Sequence, residues 1–105
     1  MAQFSVHRNA NPATKARYPL LLDVQSDLVA ELGTRVVVPL RPVSAMKGQL
    51  IRTLTPVLDI EGKEYAMLTP QLAGIPVRLL GAGVSDLTDR RGEILAALDL
   101  LFTGI

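Results

Sequence analysis

The sequence contains no cysteine and no tryptophan, and its one histidine is His7. Without cysteine there is no disulfide, no thiolate nucleophile and no cysteine-based metal site, which fits a reducing cytoplasm. A metal centre would have to use oxygen ligands, and the carboxylates do not cluster for that purpose. We therefore expect no metal and no cofactor, and we expect His7 to be structural or merely exposed.

An excess of charge of one sign and a long apolar run are also missing. The formal net charge is +1, from 11 basic and 10 acidic residues in 105. This balance gives no case for bulk attraction to nucleic acid or membrane, and the interspersed charges are typical of a solvated surface. Arg17, Asp23 and Arg35 interrupt the apolar runs, and the first residues lack a signal-peptide hydrophobic region. We expect a cytoplasmic protein without membrane contact.

No catalytic constellation stands out. Ser26-Asp27 and Ser85-Asp86 are interpreted as turn and cap pairs, because neither has a base nearby in sequence. Gly81-Ala82-Gly83 lacks the rest of a dinucleotide fingerprint and precedes an acidic stretch that would repel phosphate. The four aromatic residues are too few for a nucleic-acid stacking platform. These features indicate a binding protein and not an enzyme.

The chain length suits one domain, residues 1–105, and the order of elements predicts the fold class. Pro39 and Pro42 are predicted to end a central strand, and Gly81-Ala82-Gly83 to end the last one. Glu61-Gly62 predicts a hairpin turn with Gly62 at positive φ. Many short strands followed by one helix indicate an α+β fold, a strongly bent antiparallel sheet or small barrel capped by the helix. The predicted strands cover residues 3–7 (with Phe4 and Val6 inward), 18–25, 35–40, 50–60 (bent at Pro56), 63–68 and 75–80.

Residues 85–105 predict one amphipathic helix that runs to the end of the chain. Ser85, Asp86 and Thr88 are the candidate N-caps. Leu100 lies off the apolar arc, and Gly104-Ile105 follow without a polar tail. Such an end either packs on its own domain or is presented to another molecule. The predicted core-facing arc consists of Leu87, Ile94, Leu95, Leu98, Leu101 and Phe102.

One segment, Leu22-Asp23-Val24-Gln25-Ser26-Asp27-Leu28, is the most specific part of a likeness that runs nearly end to end. On these residues the chain resembles the CcdB family of proteinaceous toxins, which poison DNA gyrase in toxin–antitoxin modules. The other matching segments are Gln3-Phe4, Arg17-Tyr18, Val38-Pro39-Leu40, Thr55-Pro56-Val57, Met67-Leu68-Thr69, Ile75-Pro76-Val77, Asp86-Leu87 and Phe102-Thr103-Gly104-Ile105.

The resemblance implies an SH3-like antiparallel β-barrel of the CcdB/Kid/MazF type, with a small second sheet and the C-terminal helix. It further implies a homodimer whose helix ends form one patch across the two-fold axis. This patch would insert into the gyrase A subunit and trap the cleaved DNA complex. The positions implied to contact gyrase are Leu28, Val29, Asp99, Phe102, Thr103, Gly104 and Ile105.

The resemblance also implies a CcdA-like antitoxin, whose disordered C-terminal segment would fold on binding the dimer. We expect its contacts at Arg17 and in the loop from Arg41 to residue 49, in particular at Arg41, Val43 and Met46. Transcription regulation would then act through the antitoxin, without specific DNA contact by this chain.

Thr103 is the main departure from the family pattern, which typically ends in Phe-Trp-Gly-Ile. In the family, two Trp rings clasp a gyrase Arg by stacking, and Thr offers no π face for this contact. Asp99 stands in place of an amide and could pair with that Arg. The chain could therefore be attenuated or aimed at another topoisomerase, or could be a non-toxic homologue that binds antitoxin.

A third hypothesis is a Kid/MazF-like endoribonuclease, because these enzymes share the fold and carry an active-site Arg near the position of Arg17. Cleavage through the 2′-hydroxyl needs both an acid and a base, and Arg17 alone cannot supply both.

Overall fold

The computed structural model describes residues 2–29, 33–46 and 54–104. These residues form a curled antiparallel sheet with a C-terminal helix, which confirms the predicted α+β class. Short 3₁₀ helices cover Asp27–Val29, Val43–Ala45, Thr69–Gln71, Val77–Leu79 and Thr88–Arg90. The strands are β1 (Ser5–Asn9), β2 (Leu20–Asp23), β3 (Thr34–Pro42), β4 (Val57–Ile60), β5 (Lys63–Met67), β6 (Ala73–Pro76) and β7 (Leu80–Asp86), and the helix is α1 (Arg91–Thr103).

The described strands lie in the order β4-β5-β3-β2-β1-β7, with β6 paired to β3. The long strand β3 organises this sheet. One of its edges pairs with β2, while the other pairs with β6 through residues 34–37 and with β5 through residues 40–42. The β4–β5 hairpin is therefore an arm of the main sheet. The separate second sheet that the resemblance implied is not present among the described strands.

Pro39 was expected to end the central strand, and this prediction is wrong, because β3 continues through Pro39 to Pro42. Val24 N–H donates to the Val36 carbonyl at 3.0 Å. In this register Pro39 sits opposite Leu21 in a pair that exchanges no ladder hydrogen bonds. Its other edge faces Leu68, whose N–H donates to the Pro39 carbonyl at 3.0 Å. The Leu68 carbonyl accepts the Gln71 N–H at 2.9 Å instead, so the missing proline N–H leaves no partner unsatisfied.

The main core lies between one face of the sheet and α1. It follows the strict alternation of a pleated sheet, since Leu20 and Leu22 face it while Leu21 points the other way. The buried strand residues are Val6, Leu20, Leu22, Val38, Leu40, Leu58, Ile60 and Met67, and the helix contributes Ile94, Ala97 and Leu98. Phe4 and Val6 are buried, as predicted.

The hairpin predicted at Glu61-Gly62 joins β4 to β5, with Ile60 opposite Lys63. Both turn residues have positive φ, 54° for Glu61 and 80° for Gly62. This combination belongs to the type I′ turn, whose twist matches that of the flanking strands.

Gly81-Ala82-Gly83 was predicted to end the last strand, and this prediction is wrong, because the segment lies inside β7. The break comes earlier, at the 3₁₀ helix Val77–Leu79. β7 passes so close to β1 that a Cβ on Gly81 would lie 2.8 Å from the Arg8 carbonyl oxygen. Glycine here permits a close backbone approach, and register shifts along β1 and β7 mark the same irregularity.

His7 is buried at this junction, consistent with a structural role. Its Nδ1 lies 3.1 Å from the Gly81 carbonyl oxygen, and its Nε2 lies 2.9 Å from the Ser5 hydroxyl. Both ring nitrogens therefore have hydrogen-bond partners.

The helix begins at Arg91 and not near Ser85, where we had predicted its start. Residues 80–86 extend the sheet, and the Asp86 carboxylate accepts the Thr88 N–H at 2.8 Å in the turn that follows. Hydrogen bonds from the side chain and then the backbone of Thr88 lower the pKa of Asp86. A bond from Arg90 similarly lowers the pKa of Glu93, with Nε to Oε1 at 2.6 Å.

Candidate functional site

Leu28 and Phe102 are the large apolar side chains that lie exposed in the described part of the chain, at 96% and 67% exposure. Both were implied to contact gyrase. Phe102 was also placed on the core-facing arc of the helix, and that prediction is wrong. The last fully core-facing position is Leu98, since Leu101 is only half-buried. An isolated exposed leucine is ordinary and does not by itself indicate a binding site. What distinguishes Leu28 is the set of contacts that hold the backbone around it.

Leu28 lies in the 3₁₀ helix Asp27–Val29, which we call the Leu28 turn. The Ser26 hydroxyl accepts the Leu28 N–H at 3.2 Å, and Asp27 Oδ1 accepts the Gln3 N–H at 2.9 Å. The turn is thus tied to the N-terminal segment that leads into β1. The backbone of Val29 ends the turn, and its side chain lies outside the described residues.

A buried ion pair lies directly beneath the Leu28 turn. Arg35 on β3 and Asp23 at the end of β2 are 1% and 0% exposed, and Arg35 Nε donates to Asp23 Oδ2 at 2.8 Å. Asp23 Oδ1 accepts the Gln25 N–H at 3.0 Å, and an Arg35 Nη donates to the Gln25 carbonyl at 3.3 Å. The pair is therefore hydrogen-bonded on both sides, which offsets the penalty of burying two charges.

The end of α1 forms the second exposed feature, which we call the helix end (Asp99–Gly104). Asp99, Thr103 and Gly104 are exposed, as Phe102 is. The Thr103 hydroxyl donates to the Asp99 carbonyl at 2.7 Å, and the Gly104 N–H donates to the Leu100 carbonyl at 2.9 Å. Gly104 has φ of 72°, the left-handed conformation that ends many helices. Ile105 lies outside the described residues.

A second apolar cluster lies apart from the main core and contains Met46, Ala66 and Leu68, with Tyr18 and Val43 packed against it. It contains Val43 and Met46, two of the four residues expected to bind antitoxin, and the other two lie next to its members in sequence or across a strand pair. Val43 is half-buried, Met46 is 7% exposed, and the Arg17 guanidinium lies 5.5 Å from the Tyr18 ring centroid. Arg41 on β3 is half-buried and pairs with Ala66. The rest of the expected loop, residues 47–49, is outside the described residues.

A cleft of about 200 Å³ opens between the segment Asn9–Tyr18 and the sheet. Its polar lining consists of Asn9, Asn11, Thr14, Tyr18 and Gln71, and the remaining lining is apolar. No carboxylate, histidine or lysine lines it, so the described residues there lack the acid–base pair that a ribonuclease beside Arg17 would need. In the same ranges no cluster of three His, Asp or Glu could hold a metal ion.

The structure therefore groups Asp99, Phe102, Thr103 and Gly104 at the helix end, and places Leu28 on a different element.

The structure also reveals residues near the Leu28 turn that the sequence analysis missed. Asp23 and Arg35 fell only under the general expectation of a solvated surface, and Asp27 was interpreted as part of a turn pair, although Asp23 and Asp27 lie in the segment that carried the resemblance. No helix in the described ranges is long and apolar enough to cross a membrane.

The fold and the site define a small α+β protein, with a curled antiparallel sheet, a C-terminal helix and, among its described residues, Leu28 and Phe102 as exposed large apolar side chains. The family model described as CcdB protein matches residues 3–104 of the 105-residue chain. The chain belongs to the CcdB family, and this membership implies a toxin of a toxin–antitoxin module.

Proposed function

We propose that this chain acts as a homodimeric toxin that binds the DNA gyrase A subunit and traps the cleaved DNA complex. One observation carries the proposal. The exposed large apolar side chains of the described residues, Leu28 and Phe102, coincide with two positions that the resemblance assigns to gyrase. Single exposed apolar side chains are ordinary on a protein surface, so the support comes from their coincidence with the implied gyrase positions.

The exposed side chains at the helix end also support gyrase binding. The last turn of α1 presents Asp99, Phe102 and Thr103 together, while the buried positions of the helix stop at Leu98. These side chains are therefore available to a partner without disturbing the core. A two-fold axis near the helix end would double each of them, and the half-buried Leu100 and Leu101 would supply apolar contact between the protomers.

Thr103 sets the expected strength of this activity. Two Thr side chains cannot replace the aromatic clasp that the family uses, so the chain should poison gyrase less strongly than a Trp-bearing relative. Asp99 is exposed one turn earlier and can pair with a target Arg through a charge-assisted hydrogen bond. An attenuated toxin, or a homologue that retains only antitoxin binding, is the alternative within the same family.

We propose that a CcdA-like antitoxin neutralises the toxin at the second cluster. The Arg17 guanidinium, 5.5 Å from the Tyr18 ring centroid, supplies a positive charge, and Val43 supplies a neighbouring apolar contact. Arg41 adds a second cation on the adjoining strand. Because Met46 is nearly buried, its role would be to support Val43 and not to contact the antitoxin directly.

Direct binding to the purified gyrase A subunit, measured by calorimetry, tests the proposal. The natural chain should bind, Phe102→Ala should weaken binding, and Lys63→Ala at the β4–β5 hairpin should leave it unchanged. Co-expression with a CcdA-like antitoxin should relieve growth arrest. Antitoxin binding without gyrase binding would favour the non-toxic alternative and refute the proposal.

A further inference from the structure

We propose that Asp27 and Arg35 are positioning residues that hold Leu28 ready for a protein partner. This inference rests on the proposed function only for the identity of that partner. Leu28 is 96% exposed, so no packing contact of its own side chain fixes where it points. Any order at this position must therefore come from the backbone of the turn that carries the side chain.

An electrostatic contact between Asp27 and the buried Arg35 holds the Leu28 turn. An Arg35 Nη lies 2.8 Å from Asp23 Oδ2 and 3.7 Å from Asp27 Oδ1. Arg35 is buried and locked by its bonds to Asp23 and Gln25, so it serves as a fixed cation at the base of the turn. Asp27 is the acid of the turn that reaches this cation, while its own side chain is 62% exposed.

The turn is also fixed from the side by the N-terminal segment. Gln3 donates its N–H to Asp27 Oδ1 at 2.9 Å and its side-chain Nε2–H to the Val24 carbonyl at 3.2 Å. The next residue, Phe4, is buried with φ of 71°, a strained conformation for a bulky side chain. Phe4 N–H donates to the Asp23 carbonyl at 2.6 Å, and Leu87 N–H donates to the Phe4 carbonyl at 2.8 Å. Such strain persists only where surrounding bonds impose it.

The single oxygen Asp27 Oδ1 thus joins the buried cation and the N-terminal segment at the residue that precedes Leu28. The arrangement orders the backbone that carries an exposed apolar side chain before any partner arrives. Preorganisation raises affinity because the cost of ordering this backbone has already been met in the free protein. Removing the Asp27 carboxylate should loosen the turn without disturbing the Arg35–Asp23 pair or the core.

Asp27→Ala tests this role, because substitution of the buried Arg35 would perturb the whole fold. We expect the backbone order parameter of Leu28, from ¹⁵N relaxation of the free protein, to fall from about 0.85 toward 0.6. Affinity for the gyrase A subunit should fall roughly five- to thirtyfold, the effect of having to order the backbone of about one residue on binding. The matched control is Asp59→Ala, which removes an exposed carboxylate from β4 and should change neither quantity.

A double-mutant cycle with Leu28→Ala separates positioning from direct contact. If Asp27 acts through Leu28, Asp27→Ala should cause no further loss of affinity in the Leu28→Ala background. A loss that persists there, or an unchanged order parameter in Asp27→Ala, would overturn the inference. If the natural chain fails to bind the gyrase A subunit, the proposed function is wrong. The order parameter of Leu28 is measured in the free protein, so it still tests the positioning role of Asp27 in that case.

Discussion

Leu28→Ala should weaken binding to the gyrase A subunit while leaving the stability of the free protein nearly unchanged. The side chain is 96% exposed, so the free energy of unfolding should change by no more than about 0.5 kcal/mol. In a complex, each buried methylene-sized group contributes about 0.8 kcal/mol. Loss of the three carbons that alanine lacks gives about 2.4 kcal/mol for full burial and about half of that for partial burial. At about 1.4 kcal/mol per decade, affinity should fall roughly sevenfold to fiftyfold for each protomer.

The assay has two arms, calorimetric binding to the gyrase A subunit and urea unfolding of the free protein. Leu22→Ala is the stability control, because this fully buried leucine should cost about 2–5 kcal/mol when truncated. Lys63→Ala is the binding control. Unchanged affinity in Leu28→Ala would refute the reasoning, since Leu28 would then remain exposed in the complex. A large loss of stability would refute it as well, because Leu28 would have to support the fold.

Three further predictions address the helix end, the buried ion pair and pH. Thr103→Trp should raise inhibition of supercoiling by about five- to thirtyfold, from a cation–π contribution of about 1–2 kcal/mol, and no increase would show that another residue has replaced the Trp. Arg35→Met should lower the free energy of unfolding in urea by about 3–5 kcal/mol, because it leaves the Asp23 carboxylate buried and unpaired, and a loss below about 1 kcal/mol would contradict this. The lowered pKa values of Asp86 and Glu93 stabilise the folded state above the ordinary carboxylate values of about 3.9 and 4.3. This contribution should disappear as pH falls through the lowered values, and urea midpoints of Asp86→Ala and the natural chain should converge there.

Hydrophobic periodicity predicted strands that overlap β1 to β6, because the main core uses alternate strand residues, although residues 50–53 of one predicted strand lie outside the described residues. It missed β7, most of which was assigned to a break and to the start of the helix. It could not predict the behaviour of Pro39, which is tolerated inside β3 because the facing Leu68 carbonyl accepts the Gln71 N–H. Nor could it place Gly81 inside β7, because the close approach of Arg8 is a long-range contact. Both errors came from treating proline and glycine as local breaks where tertiary neighbours decide.

The candidate site was predicted unevenly for similar reasons. Helical spacing put Phe102 on the core-facing arc, yet burial along the helix stops at Leu98 and the Phe102 ring is exposed. Composition assigned Arg35 and Asp23 to a solvated surface, although they form a buried pair twelve residues apart in sequence. An arginine inside the most β-prone segment was the available signal, since an unpaired charge could not be buried there.

The central claim, that this chain traps cleaved gyrase–DNA complexes, is tested most directly by DNA cleavage. Purified gyrase and supercoiled plasmid would be incubated with the natural chain, then denatured and digested with protease before electrophoresis. We predict linear DNA above the level of gyrase alone, a reduced amount with Phe102→Ala, and an increased amount with Thr103→Trp. Background levels of linear DNA at saturating concentrations of the natural chain would contradict the claim.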